Sequence, residues 1–210
     1  MYTLYFSPGT ASMAVHHLLL ELGAPHELRE VDLEAREQDS PAFRALNPSG
    51  HVPVLVVDGK PYSECAALVL LLAERHADAG LAPPPGDARR ALFLQWMLHL
   101  ANTLQPAFRQ WFYPPDFGPA EHEEVLKQSA RVRIEATWDR LDAHLAAHGP
   151  YVLGDRFSVA DLYATMLMRW SRNMPRPAQG WPAVGTLAAT IKARPSWKRL
   201  YAIERLTEWA

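Results

Sequence analysis

The spacing of apolar positions changes within a few residues of the start of the chain, and that change predicts the first elements. Thr3–Phe6 reads as a short apolar strand, and a turn with Pro8 and Gly9 follows it. Val15, Leu18, Leu19 and Leu22 then recur at i, i+3, i+4 and i+7, the spacing of a helix that buries one face, with Gly23 placed to stop it. Thr10 and Ser12 stand just ahead of this stripe, at the predicted helix N-terminus. Unpaired N–H groups and the positive dipole end favour an anion there, and a thiolate so placed has a lowered pKa.

Glu27–Asp32 alternates well enough for a second strand, parallel to the first and joined to it by a right-handed crossover. Leu33–Pro48 is polar and turn-rich, with a short helix around Pro41–Ala45. Val52–Val57 and Lys60–Ser63 form a hairpin across Asp58-Gly59. Pro61 cannot donate to a ladder, which places the last strand at a sheet edge. From Glu64 a helix turns Leu68, Leu71 and Leu72 toward the sheet and ends near His76.

Ala77–Asp87 has no period and is rich in Pro, Gly and Ala, the composition of a linker. Everything beyond it reads as helix. Phe93, Trp96, Met97, Leu100 and Leu104 make one stripe, and Ile134, Trp138, Leu141 and Leu145 another. Ser158 with Asp161 three residues on is a capping box, flanked by Phe157 and Leu162 at the staple positions. Pro195 opens a last helix. The pattern predicts a small α/β domain over residues 1–77, a linker over 78–87 and a helical domain over 88–210.

The chain has 210 residues, 49% of them apolar, enough for a sizeable core. A net charge of −2 and scattered basic residues give no electrostatic reason to expect nucleic acid or an anionic membrane as partner. No apolar run is long enough for a membrane span and no signal peptide opens the chain, so a cytoplasmic protein is expected. The single cysteine, Cys65, cannot form an internal disulfide. His144 and His148 share a helix face but lack further ligands, and read as a solvated helix end; no metal is expected.

Taken in order, SPGTAS, NPSGHVPVL, SEC with its helix, the proline-rich linker and FSVADLYA resemble the cytosolic glutathione S-transferase superfamily, most closely its bacterial beta-like group. The resemblance implies an α/β plus all-α protein: a thioredoxin-like N-terminal domain (βαβαββα) that binds glutathione as co-substrate, and an all-helical C-terminal domain, usually in a homodimer. It also implies a cis Val52–Pro53 bond. One departure is plain. Beta-like relatives carry a cysteine where this chain has Ala11, so mixed-disulfide chemistry there is not expected, and the thiol must be stabilised by the helix dipole and a hydroxyl.

Lowering a thiol pKa by two units takes about 2.7 kcal/mol, which one charge-assisted hydrogen bond of about 1.5–3 kcal/mol can supply with a helix N-terminus. Ser7, Thr10 and Ser12 are the candidates, with Thr10 and Ser12 taken as catalytic. For glutathione binding the resemblance points to the Val52 backbone before Pro53, Glu64 and Cys65 at the γ-glutamyl end, and His51 at the glycine end. Cys65 stands where relatives have Ser or Thr, and as a thiol at a helix N-terminus it offers an alternative chemistry.

A small hydrophobic electrophile, expected between the domains, would meet Gln105, Arg109, Phe112, Tyr113 and Trp170, with Phe108, Trp111, Phe117 and Arg169 nearby. Beta-like relatives tend to have His-Lys where this chain has Gln105-Pro106, and Pro106 should kink its helix. Two further readings share the scaffold: a ligand-binding or interaction protein with little turnover, and a glutathione-dependent isomerase, reductase or dehalogenase.

Overall fold

The computed structural model describes residues 1–209. Among them, Met1–Ala82 and the segment from Lys192 onward form one compact unit, and Pro83–Ile191 another. The break between the units, after Ala82, lies inside residues 78–87. The last helix, expected in the helical domain, belongs to the first unit.

In the first unit β1 (Tyr2–Phe6), α1 (Ser12–Glu21), β2 (His26–Glu30), α2 (Pro41–Leu46), β3 (Val54–Val57), β4 (Lys60–Tyr62) and α3 (Cys65–Arg75) follow one another. The sheet order is β2-β1-β3-β4, with β1 parallel to β2 and the other pairs antiparallel. Pro61 is therefore on an edge strand, where its missing N–H costs no ladder bond. Alternation along β1 sends Tyr2, Leu4 and Phe6 inward on one face, while Tyr5 meets Phe43 of α2 edge-on across the other. Leu18, Leu19, Leu68, Val69 and Leu72 of α1 and α3 are buried, each such side chain contributing about 1.5–3 kcal/mol. Leu71, expected to face the sheet, is half-exposed on α3, and Val69 is buried instead.

Helix α1 ends in a Schellman motif: the Ala24 N–H donates to Leu19 O and the Gly23 N–H to Leu20 O, with Gly23 at φ +60°. Helix α9 (Pro195–Ile203) packs against α1.

In the second unit, α4 (Arg90–His99) runs through a π-helical segment, Leu100–Leu104, into α5 (Gln105–Phe112). The expected disturbance at Pro106 takes this form. Its ring has no N–H to donate and crowds the carbonyl one turn back, and a widened turn relieves both. Helix α6 (Glu123–His148) packs along α5, followed by α7 (Val159–Trp170) and α8 (Pro182–Lys192). Helix α7 is buried from Val159 to Arg169, and it opens on the anticipated capping box. The two sequence stripes are both buried. No helix among the described residues is long and apolar enough to cross a membrane.

Candidate active site

The turn after β1 converges on the carbonyl of Ser7. Thr10 Oγ1 donates to Ser7 O at 2.7 Å, Ser12 Oγ reaches the same oxygen at 3.0 Å, and the two hydroxyls are 2.9 Å apart. Ser12 is the first residue of α1 and not ahead of it; it is fully buried, and its Oγ also accepts the Ser7 N–H at 3.3 Å. Thr10 is half-exposed. Two hydroxyl protons serve three contacts here. If Ser12 holds the Ser7 carbonyl, the Thr10 proton is released to turn outward without leaving a buried acceptor bare. The first turn of α1, where N–H groups lack intrahelical partners, lies beside it.

A second turn positions the strand edge. Buried Asn47 accepts from Ser49 N–H and Oγ, and donates from Nδ2 to His51 O at 2.8 Å. That leaves the His51 side chain exposed and brings the chain into the cis Val52–Pro53 bond. The β1/β3 ladder ends at Tyr5 with Val54, so the Val52 N–H and C=O lie outside the sheet's pairing.

Glu64 precedes α3 at φ +71° and ψ 102°, a conformation that costs a non-glycine residue about 1–3 kcal/mol and is typically kept where function requires it. Its side chain does not cap its own helix, and it is exposed. The expectation that Glu64 and Cys65 stand at a helix N-terminus holds. Cys65 as a reactive thiol does not fit its surroundings. Its Sγ donates to Ala11 O at 3.1 Å, and burial, with the Glu64 carboxylate as lesser cause, pushes its pKa far above the usual range.

In the second unit, Phe108 is buried while Phe112 stacks on it, ring centroids 6.1 Å apart, and Trp170 meets both edge-on at 5.7 and 6.4 Å. Phe112, Tyr113 and Phe117 are exposed. Arg109 lies over the Tyr113 ring at 4.1 Å and pairs with Asp116. Gln105 accepts a hydrogen bond from Tyr163 Oη. Thus Phe112 and Trp170 belong to one aromatic cluster and Arg109 and Tyr113 to a separate cation–ring pair, both toward the end of α5, with Gln105 at the start of the helix. His144 is not a solvated end residue, because its Nε2 donates to Val152 O at 2.8 Å. Among the described residues no group of side chains is placed to hold a metal ion.

Residues 10–75 match the profile described as Glutathione S-transferase, N-terminal domain, and residues 88–202 that of the Glutathione S-transferase, C-terminal domain. The chain belongs to the glutathione S-transferase family. It is 27% identical to the glutathione S-transferase GstA of Escherichia coli over 97% of this chain and 98% of that one. It resembles a glutathione transferase homolog from Sulfitobacter, solved with bound glutathione, at a TM-score of 0.90 and 29% identity over 98% and 99% of the two chains. A bacterial beta class glutathione S-transferase of Sphingomonas chungbukensis follows at 0.84 and 30% over 98% and 100%.

For a glutathione S-transferase of this pattern, sequence reasoning missed two residues behind the Ser7–Thr10 turn. Glu204, just past α9, accepts the Gly9 N–H through Oε2 at 2.9 Å and the His16 Nδ1–H through Oε1 at 2.8 Å. Both His16 and Glu204 are buried. A histidine on the buried side of α1 was the available signal, since such a group needs a partner. Nothing in the sequence marks Glu204 as that partner.

Proposed function

We propose that this glutathione S-transferase binds glutathione on its first unit, holds the thiol as thiolate at the N-terminus of α1, and delivers it to a small hydrophobic electrophile. The carrying observation is the Thr10–Ser12 hydroxyl pair over the Ser7 carbonyl, an acceptor that both hydroxyls reach and that either one alone would satisfy. Thr10 is the donor to the thiolate and Ser12 the catalytic support that keeps Ser7 satisfied when Thr10 turns away. The Val52 backbone takes the glutathione backbone by strand addition, in front of Pro53. Glu64 takes the γ-glutamyl amine, the backbone N–H of Cys65 its carboxylate, and His51 the glycine carboxylate. Phe112, Tyr113 and Trp170 receive the electrophile, with Arg109 and Gln105 as its polar contacts. A detoxifying conjugation in the cytoplasm, by a homodimer, completes the proposal.

Calorimetry with glutathione, combined with ultraviolet titration of the bound thiol between about pH 5 and about pH 9, tests it. Thiolate present well below pH 8 in the wild type is the expected result. Loss of about tenfold in thiolate at neutral pH is expected for Thr10→Val, with Thr10→Ser close to wild type. Binding without thiolate formation would instead identify a carrier.

A further inference from the structure

The buried carboxylate of Glu204 touches the catalytic turn and the catalytic helix at once. Its Oε2 accepts from the Gly9 N–H at 2.9 Å, one residue before Thr10, and its Oε1 from His16 Nδ1 at 2.8 Å, one helical turn after Ser12. Gly9 is at φ +73°, a conformation open to glycine that the turn would not hold by steric preference alone. The residue that supplies the carboxylate is anchored on its own side: the Glu204 N–H donates to Leu200 O at 2.9 Å, and Arg205 next to it pairs with both carboxylate oxygens of Glu30 at 2.7 Å.

We propose that Glu204 is a positioning residue for thiol activation, acting through Gly9 and His16 to fix where the Thr10 hydroxyl stands relative to the first turn of α1. With both oxygens used, the turn and the helix are held at one separation, and Thr10 Oγ1 meets an incoming thiolate in place instead of being ordered at that moment. An amide at this position keeps one acceptor, enough for Gly9 or for a His16 Nδ1–H but not for both. The geometry also explains why a segment about 190 residues away in sequence folds back on the first unit.

This proposal rests on the transferase reading, and its test separates the two. Glutathione affinity and the pH midpoint of the bound thiolate are measured for wild type, Glu204→Ala, Glu204→Gln and Asp161→Asn. The last is destabilised from within the second unit and serves as a control for stability alone. Glu204→Ala is expected to raise the thiolate midpoint by about one pH unit, a fall of about tenfold in thiolate at neutral pH, and Glu204→Gln by about half a unit. Glutathione Kd should stay within about threefold, and the control should titrate with wild type. Should Glu204→Ala fail to fold, the Gln variant decides. Midpoints for Glu204 variants equal to wild type, or an equal shift in the control, overturn the positioning role and leave the transferase reading standing. A wild type that binds glutathione without forming thiolate overturns both.

Discussion

The Cys65 thiol donates to the carbonyl of Ala11 across 3.1 Å, tying the first turn of α3 to the residue that precedes α1. Cys65 is the single cysteine of the chain. Burial holds Cys65 as a thiol and uses it as a donor.

Cys65 should therefore resist thiol reagents in the folded protein and react once denatured. Colorimetric titration with an aromatic disulfide at about pH 8 measures this, and rapid stoichiometric reaction in the native state would contradict it. Cys65→Ser keeps the donor, whereas Cys65→Ala should lose about 1 kcal/mol in urea unfolding.

Stability should fall with acid through His17. Its Nε2 lies 3.0 Å from Ser196 Oγ, and its ring meets Trp197 edge-on at 5.4 Å. Burial, ahead of the opposing Glu21 and the smaller effects of Arg194 and His16, lowers its pKa to about 3. Between about pH 6.5 and about pH 3 the unfolded chain thus binds a proton that the folded chain refuses, and stability drops as pH falls, by up to about 1.4 kcal/mol per unit. Glu21 adds a loss of the same sign at lower pH: burial works against its ionisation, but hydrogen bonds from Arg194 and Ser196 outweigh it. Urea midpoints of wild type and His17→Gln across this range should show a shallower slope for the variant. Equal slopes would remove His17 from the account.

Asp161 is fully buried and accepts from the Val152 N–H at 2.8 Å, the Ser158 N–H at 2.8 Å and Ser158 Oγ at 3.1 Å. Asp161→Ala leaves these donors without an acceptor, at about 1–3 kcal/mol each for those that water cannot reach. A loss of roughly 3 kcal/mol in denaturant unfolding is expected. Ser158→Ala, which removes only the cap hydroxyl, should cost about 1 kcal/mol.

Phe112 offers about half its surface on a stack with Phe108 and Trp170. Phe112→Ala should raise KM for an aromatic electrophile about threefold to tenfold, the value of one such ring contact, and leave glutathione affinity unchanged. Steady-state kinetics with each substrate varied in turn make the comparison. An equal effect on both substrates would place Phe112 in packing.

Much of the first unit was legible because it is local. Period-two and period-3.6 spacing, the Asp58-Gly59 turn and the edge placement of Pro61 depend on neighbours in sequence, and the strands and helices they predict are present within a residue or two. Ser158 and Asp161 likewise form their capping box within four residues. The site was less legible. Thr10 and Ser12 share one composition and one turn, and only coordinates separate a half-exposed hydroxyl from a buried one. The aromatic run after Gln105 similarly divides into buried Phe108 and exposed Phe112, Tyr113 and Phe117.

The sequence by itself determined the elements, their order, the family and the helix N-terminus that follows the first strand, because those follow from hydrophobic spacing, turn chemistry and helix termini that act over a few residues. Tertiary structure alone decided that the last helix joins the first unit, that Val69 is buried where Leu71 is only partly so, that Cys65 is sealed, and that Glu204 reaches Gly9 and His16. Each of these depends on which distant groups exclude water together, and a buried polar atom finds its partner by proximity in space, which spacing along the chain does not encode.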